Sequence, residues 1–184
     1  MIRRKATSPK ARLSEESKDI KGEEGAYRKA VAASPRNYKA RVALADVLIQ
    51  KENNYQEGER AAREAIQIDL GRADGFVSLS ILYALQNRWN DLDTTLAHAK
   101  ESIPDDLNPY YQAGKTILGR GGDLMRAEGY FRKYLTQEPE GGTPNLAAAH
   151  WRLAQVLEKD GRSSEAVTEL KSALKLQPDF PEAK

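Results

Sequence analysis

The sequence predicts an all-α fold, an α-solenoid of stacked helix-turn-helix units, and three observations carry that expectation. The first is a complete two-helix unit over residues 147–178, AAAHWRLAQVLEKDGRSSEAVTELKSALKLQP. His150, Leu153, Ala154 and Leu157 stand at i, i+3, i+4 and i+7, the buried stripe of a first helix. Asp160-Gly161-Arg162 supplies a turn, and Ala166, Leu170, Ala173 and Leu174 repeat the period on a second helix. Pro178 ends that helix, because its ring cannot continue one. The second observation is recurrence: from Pro35 through Leu70, Pro104 and Pro139 to Pro178 the intervals are 35, 34, 35 and 39 residues. Neither helix of such a pair can bury its apolar face alone, so repetition at this length marks a stacked array. The third is composition: 40% hydrophobic, 30% charged and 7% aromatic residues in 184 suit a core built locally between neighbouring pairs.

Residues 1–12 hold Arg3, Arg4, Lys5, Lys10 and Arg12, no acid and no periodicity, and are expected to form a disordered basic tail. The formal net charge of +2 conceals this asymmetry, since the rest of the chain carries 24 basic against 27 acidic residues. Residues 13–36, with Ile20, Tyr27, Ala30 and Val31, are expected to give a leading helical segment. A break is expected near Gly22, because each glycine of Lys21-Gly22-Glu23-Glu24-Gly25 costs about 1 kcal/mol relative to alanine inside a helix. Four units follow at about 38–70, 73–104, 107–139 and 147–178, and residues 13–184 are read as one elongated domain. The insert Glu140-Gly141-Gly142-Thr143-Pro144 accounts for the longest interval. Asp179 to Lys184 has the pattern of another helix beginning, so the array is expected to be completed by further chain, by a partner or by a second copy.

The unit resembles the tetratricopeptide repeat (TPR), with a bulky residue, Leu and a small residue on the first helix, a Gly-rich turn, then Ala, an aromatic or Leu, Ala and Pro. Phe76-Leu79-Ser80-Tyr83 with Leu92-Leu96-Ala99-Pro104 matches without gaps. Tyr110-Ala113-Gly114-Ile117 with Ala127-Phe131-Tyr134-Pro139 matches when the turn Gly119-Arg120-Gly121-Gly122 carries one extra residue. Leu44-Ala45-Leu48 with Gly58-Ala62-Ala65 needs the same allowance, and Leu70 stands where the family has Pro. Tyr27-Ala30-Val31-Pro35 resembles the second helix of a further unit. The resemblance implies a right-handed superhelix whose first helices line a concave surface, the place where the family's ligands bind.

Chemistry-bearing patterns are few. The absence of Cys excludes disulfides, thiol catalysis and Cys-based zinc sites. No apolar run marks a signal peptide or membrane span, so a cytoplasmic location is expected. Gly114-Lys115-Thr116 resembles the end of a phosphate-binding loop, but the first Gly that loop requires would fall at Pro109, and no strand precedes it. His98 and His150 lie in different units with no carboxylate or nucleophile at triad or metal spacing, and Asp105-Asp106 suits the capping of the next helix. Enzymatic activity, a cofactor and a metal site are not expected.

The other face of the first helices is more informative. Val42, Val77, Tyr111 and Trp151 each stand two residues before the Leu-small or Ala-Gly pair of their unit, and the same stripe continues through Asp46 and Ile49, Ile81 and Ala84, Lys115 and Leu118, Gln155 and Glu158. By resemblance this is a ligand groove with an apolar centre of Val77, Ile81, Tyr111, Leu118 and Trp151 and polar edges at Asp46, Lys115, Gln155 and Glu158. The subgroup of the family that clamps acidic chaperone tails needs basic and amide residues where this chain has Val42, Asp46, Ser78, Asn108 and Gln112, so such tails are not expected as ligands. The sequence thus points to a non-enzymatic protein-interaction scaffold that takes a partner peptide or helix in its groove. Two other classes stand beside it: a structural or self-associating component, a homo-oligomer docking through its solenoid end, and nucleic-acid or membrane-surface association through the basic tail. A solvated tail accounts for the charge more simply than either nucleic acid or a membrane does.

Overall fold

The computed structural model describes residues 9–51, 53–139 and 144–181, with side chains from Asp19 onward. Among the described residues there are nine helices and no strand, and no helix is long and apolar enough to cross a membrane. The chain divides into two compact units, residues 1–68 and 69–184. The first holds α1 (Pro9–Ala33), α2 (Tyr38–Gln50) and α3 (Tyr55–Ile68), with α2 packed on both others. The second holds α4 (Ala73–Leu85), α5 (Trp89–Ser102), α6 (Asn108–Gly119), α7 (Leu124–Tyr134), α8 (Leu146–Lys159) and α9 (Ser163–Leu176). There the helices pair as α4–α5, α6–α7 and α8–α9, with α6 packed on α4 and α5, and α8 on α7 and α6.

The stripes read from the sequence form the core. Leu44, Ala45 and Leu48 are buried against Ala62 and Ala65 in the first unit. In the second, Phe76, Leu79, Tyr83, Leu96, Phe131, Tyr134, Leu153 and Leu157 are all buried. Side chains of this size contribute roughly 1.5–3 kcal/mol each when withdrawn from water.

Every turn inside a pair reverses the chain through one residue of left-handed backbone. These are Asn53 and Asn87, both at φ 55°, Gly121 at 66° and Gly161 at 79°. Three of the turns close with a bond from a backbone N–H to the carbonyl five residues back: Arg88 to Tyr83 at 2.9 Å, Gly122 to Ile117 at 3.0 Å and Arg162 to Leu157 at 2.8 Å. In the first unit the bond runs from Asn54 to Leu48 at 2.7 Å, one residue further back. In the third pair the extra turn residue lies after the left-handed position, as Asp123, whose carboxylate accepts from the Arg126 N–H at 3.0 Å and caps α7. Asn37 and Asn145 cap α2 and α8 in the same way.

The leading segment differs from expectation. Residues 1–8 of the basic tail lie outside the described residues, but residues 9–12 form the first turn of α1, and α1 continues through Gly22 without a break. Docking outweighs the glycine cost: Glu23 accepts from Nζ of Lys51, the residue that follows α2, at 2.6 Å, and Arg28 binds both oxygens of Glu57 on α3, at 2.6 and 2.7 Å.

Candidate partner-binding surfaces

The residues that looked most like chemistry are occupied by packing. The position three before each Leu-small or Ala-Gly pair meets the second helix through a different pair of side chains in each repeat. Arg41 bonds Glu64, Phe76 meets the edge of His98 at 5.2 Å, Tyr110 meets Tyr130 at 6.0 Å, and His150 Nδ1 lies 2.6 Å from Glu169. Both histidines are accounted for in this way, and among the described residues no group of His, Asp and Glu is placed to hold a metal. Gly114 is a point of close approach, since a Cβ there would lie 3.1 Å from the Phe131 ring. Thr116 Oγ1 donates to the Gln112 carbonyl at 2.8 Å within the same helix, leaving only Lys115 of that trio exposed.

The predicted groove residues fall into two groups. In the first unit, Val42 and Asp46 are half-buried on α2. In the second, Val77 and Ile81 on α4 and Trp151 and Gln155 on α8 are half-buried, and Lys115 on α6 is exposed. Tyr111 and Leu118 are both 5% exposed. Tyr111 is held between the rings of Phe131 at 5.6 Å and Tyr134 at 5.1 Å, so it supports the face from beneath. Tyr134 in turn donates to the Pro144 carbonyl just ahead of α8, and burial raises its phenol above the ordinary range.

Ion pairs join successive second helices. Glu24 and Arg28 on α1 with Glu57 on α3 recur as Glu128 and Arg132 on α7 with Glu165 on α9. Asp93 of α5 bonds Arg126 of α7 at 2.6 Å, and Glu128 of α7 bonds Arg162, just ahead of α9, at 2.7 Å. The Arg28 bond holds the Glu57 carboxyl below its ordinary value. Burial raises the Tyr130 phenol to about 12, although its bond from Arg126 opposes the shift.

A second surface lies where α8 and α9 diverge. Trp151, Ala154, Gln155 and Glu158 on α8 and Ser163, Ala166, Val167 and Leu170 on α9 line an open groove of about 300 Å³. Phe180, 9% exposed, closes one end of this face by packing edge-on against Trp151 at 5.9 Å, over Ala147 and Ala173. Val167 is 48% exposed. The sequence pattern leaves Val167 unmarked, because it sits beside Ala166 and off the apolar stripe. Its signal is comparative: the same position holds Glu59, Asp93 and Glu128 in the other repeats.

The family model described as tetratricopeptide repeat matches residues 116–181. No curated protein matches the chain. Among solved structures, the chain is similar to TTC0263, a thermophilic TPR protein in Thermus thermophilus, at TM-score 0.65 and 16% identity over 93% of this chain and 90% of that one. It is similar to MamA at TM-score 0.57 and 18% identity, covering 92% and 95%. It is also similar to YrrB, described as a TPR protein with an unusual peptide-binding site, at TM-score 0.53 and 20% identity, covering 94% and 85%.

Proposed function

We infer that the chain, which matches the tetratricopeptide repeat model over residues 116–181 and shares the fold of such proteins, is a non-enzymatic interaction module that binds a partner peptide or helix along its first helices. The observation that carries this is the row of incompletely buried residues on that face of α4, α6 and α8: Val77, Ile81, Lys115, Trp151 and Gln155. In the other compact unit, taken by itself, Val42 and Asp46 on α2 are likewise half-buried. Half-exposed aliphatic and indole surface gains by being covered, and a lysine among it gives direction to a ligand's charge. Tyr111 and Leu118 act from below, fixing the helix that carries Lys115. That YrrB is described as having a peptide-binding site favours a peptide as ligand.

Selection of peptides from a random displayed library tests the inference. Peptides recovered by the wild-type chain should lose at least tenfold in affinity for Ile81→Lys and for Lys115→Glu, with circular dichroism unchanged. Recovery of no related peptides, or equal binding by both variants, would overturn it.

A further inference from the structure

We propose that the cavity bounded by α1, α2 and α3 is a binding site for a small organic carboxylate, its charged end received by Arg41 and Arg60 and its short apolar body lying over Leu44 and Ala61.

The cavity exists because of two residues that the other repeats do not have. Arg41 stands where they carry Phe76, Tyr110 and His150, and Ala61 where they carry Thr95, Tyr130 and Glu169. In the second unit the corresponding space, between α5, α6 and α7, holds two rings, Tyr110 and Tyr130, edge-on at 6.0 Å. Their hydroxyls reach across to α5, to the Leu96 carbonyl at 3.2 Å and to Asp93 at 3.0 Å. In the first unit neither ring is present, and about 340 Å³ is left open. All three helices that bound it are in place, so no further repeat is needed to complete it.

The lining divides by chemistry. Leu44 and Ala61 are buried and Val31 half-buried, which gives an apolar floor. Arg28, Arg41 and Arg60 stand around it with Glu57 and Glu64. Arg28 is engaged on every nitrogen, by Glu24 and by both oxygens of Glu57. Arg41 and Arg60 are not. Arg41 donates from Nε to the Pro35 carbonyl at 2.8 Å and from Nη1 to Glu64, and its Nη2 makes no hydrogen bond among the described residues. Arg60 makes one bond among them, to Glu57 at 3.3 Å. Guanidinium N–H groups match the two oxygens of a carboxylate, and a cavity of this volume lies near the lower limit for small-molecule sites. Glu64, 39% exposed, is the built-in competitor: when it swings to solvent, an incoming carboxylate takes its place on Arg41. A carboxylate is favoured over a phosphate because Glu64 already shows the acceptor that Arg41 takes, and because the floor rewards an apolar body.

This site uses other residues than the peptide face inferred above, and the two fail separately. Isocaproate titrated into the full chain with isotope-labelled alanine methyl groups tests it, with Ala32 and Ala61 as reporters by nuclear magnetic resonance. Saturable shifts at these two methyls with a Kd of about 1 mM or below are expected, and isocaproamide and acetate should each bind at least tenfold more weakly. Arg41→Leu should weaken isocaproate binding at least tenfold and Arg60→Gln severalfold, whereas Glu64→Gln should tighten it severalfold by removing the competitor. Ala61→Phe should abolish the shift at Ala32, and Tyr130 in the corresponding place shows that the repeat accepts a ring. Lys115→Glu, which tests the peptide face, should leave isocaproate binding unchanged. No saturable shift up to about 20 mM, equal binding of isocaproamide or acetate, binding indifferent to Arg60→Gln and Ala61→Phe, or a Glu64→Gln variant that binds no better overturns the proposal. Tighter binding of N-acetylglycylleucine than of isocaproate also overturns it, by making a peptide's C-terminus the ligand.

Discussion

Ser80 occupies the small-residue position of its repeat at 0% exposure, and its hydroxyl has no hydrogen-bond partner. A buried hydroxyl without a partner forfeits its hydration and gains nothing in exchange. Ser80→Ala should therefore stabilise the fold by about 1 kcal/mol, read as a higher urea midpoint with the same m-value, and a lower midpoint would show that the hydroxyl is satisfied in solution. Glu57 presents the opposite case. Its carboxylate is held in ionised form by Arg28, so its folded pKa lies below the ordinary 4.5. The stabilisation is fully present above about 4.5 and is lost as pH falls through the folded value. Glu57→Gln should cost about 1 kcal/mol at pH 7, and the gap between variant and wild type should close as pH falls through the folded value. A gap that stays constant with pH would locate the effect in packing instead of charge.

The helices and their pairing were legible in the sequence because the i, i+3, i+4 stripes are uninterrupted, and Leu153, Ala154 and Leu157 are buried as the period requires. Turns were legible where glycine supplied the left-handed residue, at Gly121 and Gly161, and obscure where asparagine did the same work at Asn53 and Asn87. Asparagine is read first as a polar loop residue, although its short amide tolerates positive φ better than most side chains. Gly161→Val should destabilise by about 1–2 kcal/mol, since a β-branched residue is strained at φ 79°, whereas Asn87→Gly should stay within about 0.5 kcal/mol of wild type. Thermal melts of the two variants check both, and equal losses would mean that the turn relaxes out of the left-handed region. The uninterrupted α1 was illegible for another reason. Glycine propensity near Gly22 argued for a break, and what overrides it is long-range: Lys51 and Glu57 are 28 and 29 residues from their partners Glu23 and Arg28.

At the scale of the molecule, stability should be local, because within each unit helices pack on those one or two places away in sequence. The boundary at residues 68 and 69 stands beside Leu70, where the repeat pattern departs from proline. The candidate surfaces were only partly legible: periodicity identifies which stripe faces away from its own partner helix, but not whether the next pair covers it. Tyr111 and Trp151 occupy equivalent positions, yet Tyr111 is 5% exposed and Trp151 half-buried. The difference comes from α8 covering one face, while the α8–α9 groove stays open. If burial is this local, residues 69–184 hold a core sufficient for folding by themselves. That fragment should be helical by circular dichroism and unfold in one cooperative step. Phe131→Ala, which empties a fully buried ring site against Gly114 and Tyr111, should lower the stability of the fragment and of the full chain alike by about 3–5 kcal/mol. A fragment with helical circular dichroism but no cooperative transition would show that its packing depends on residues 1–68.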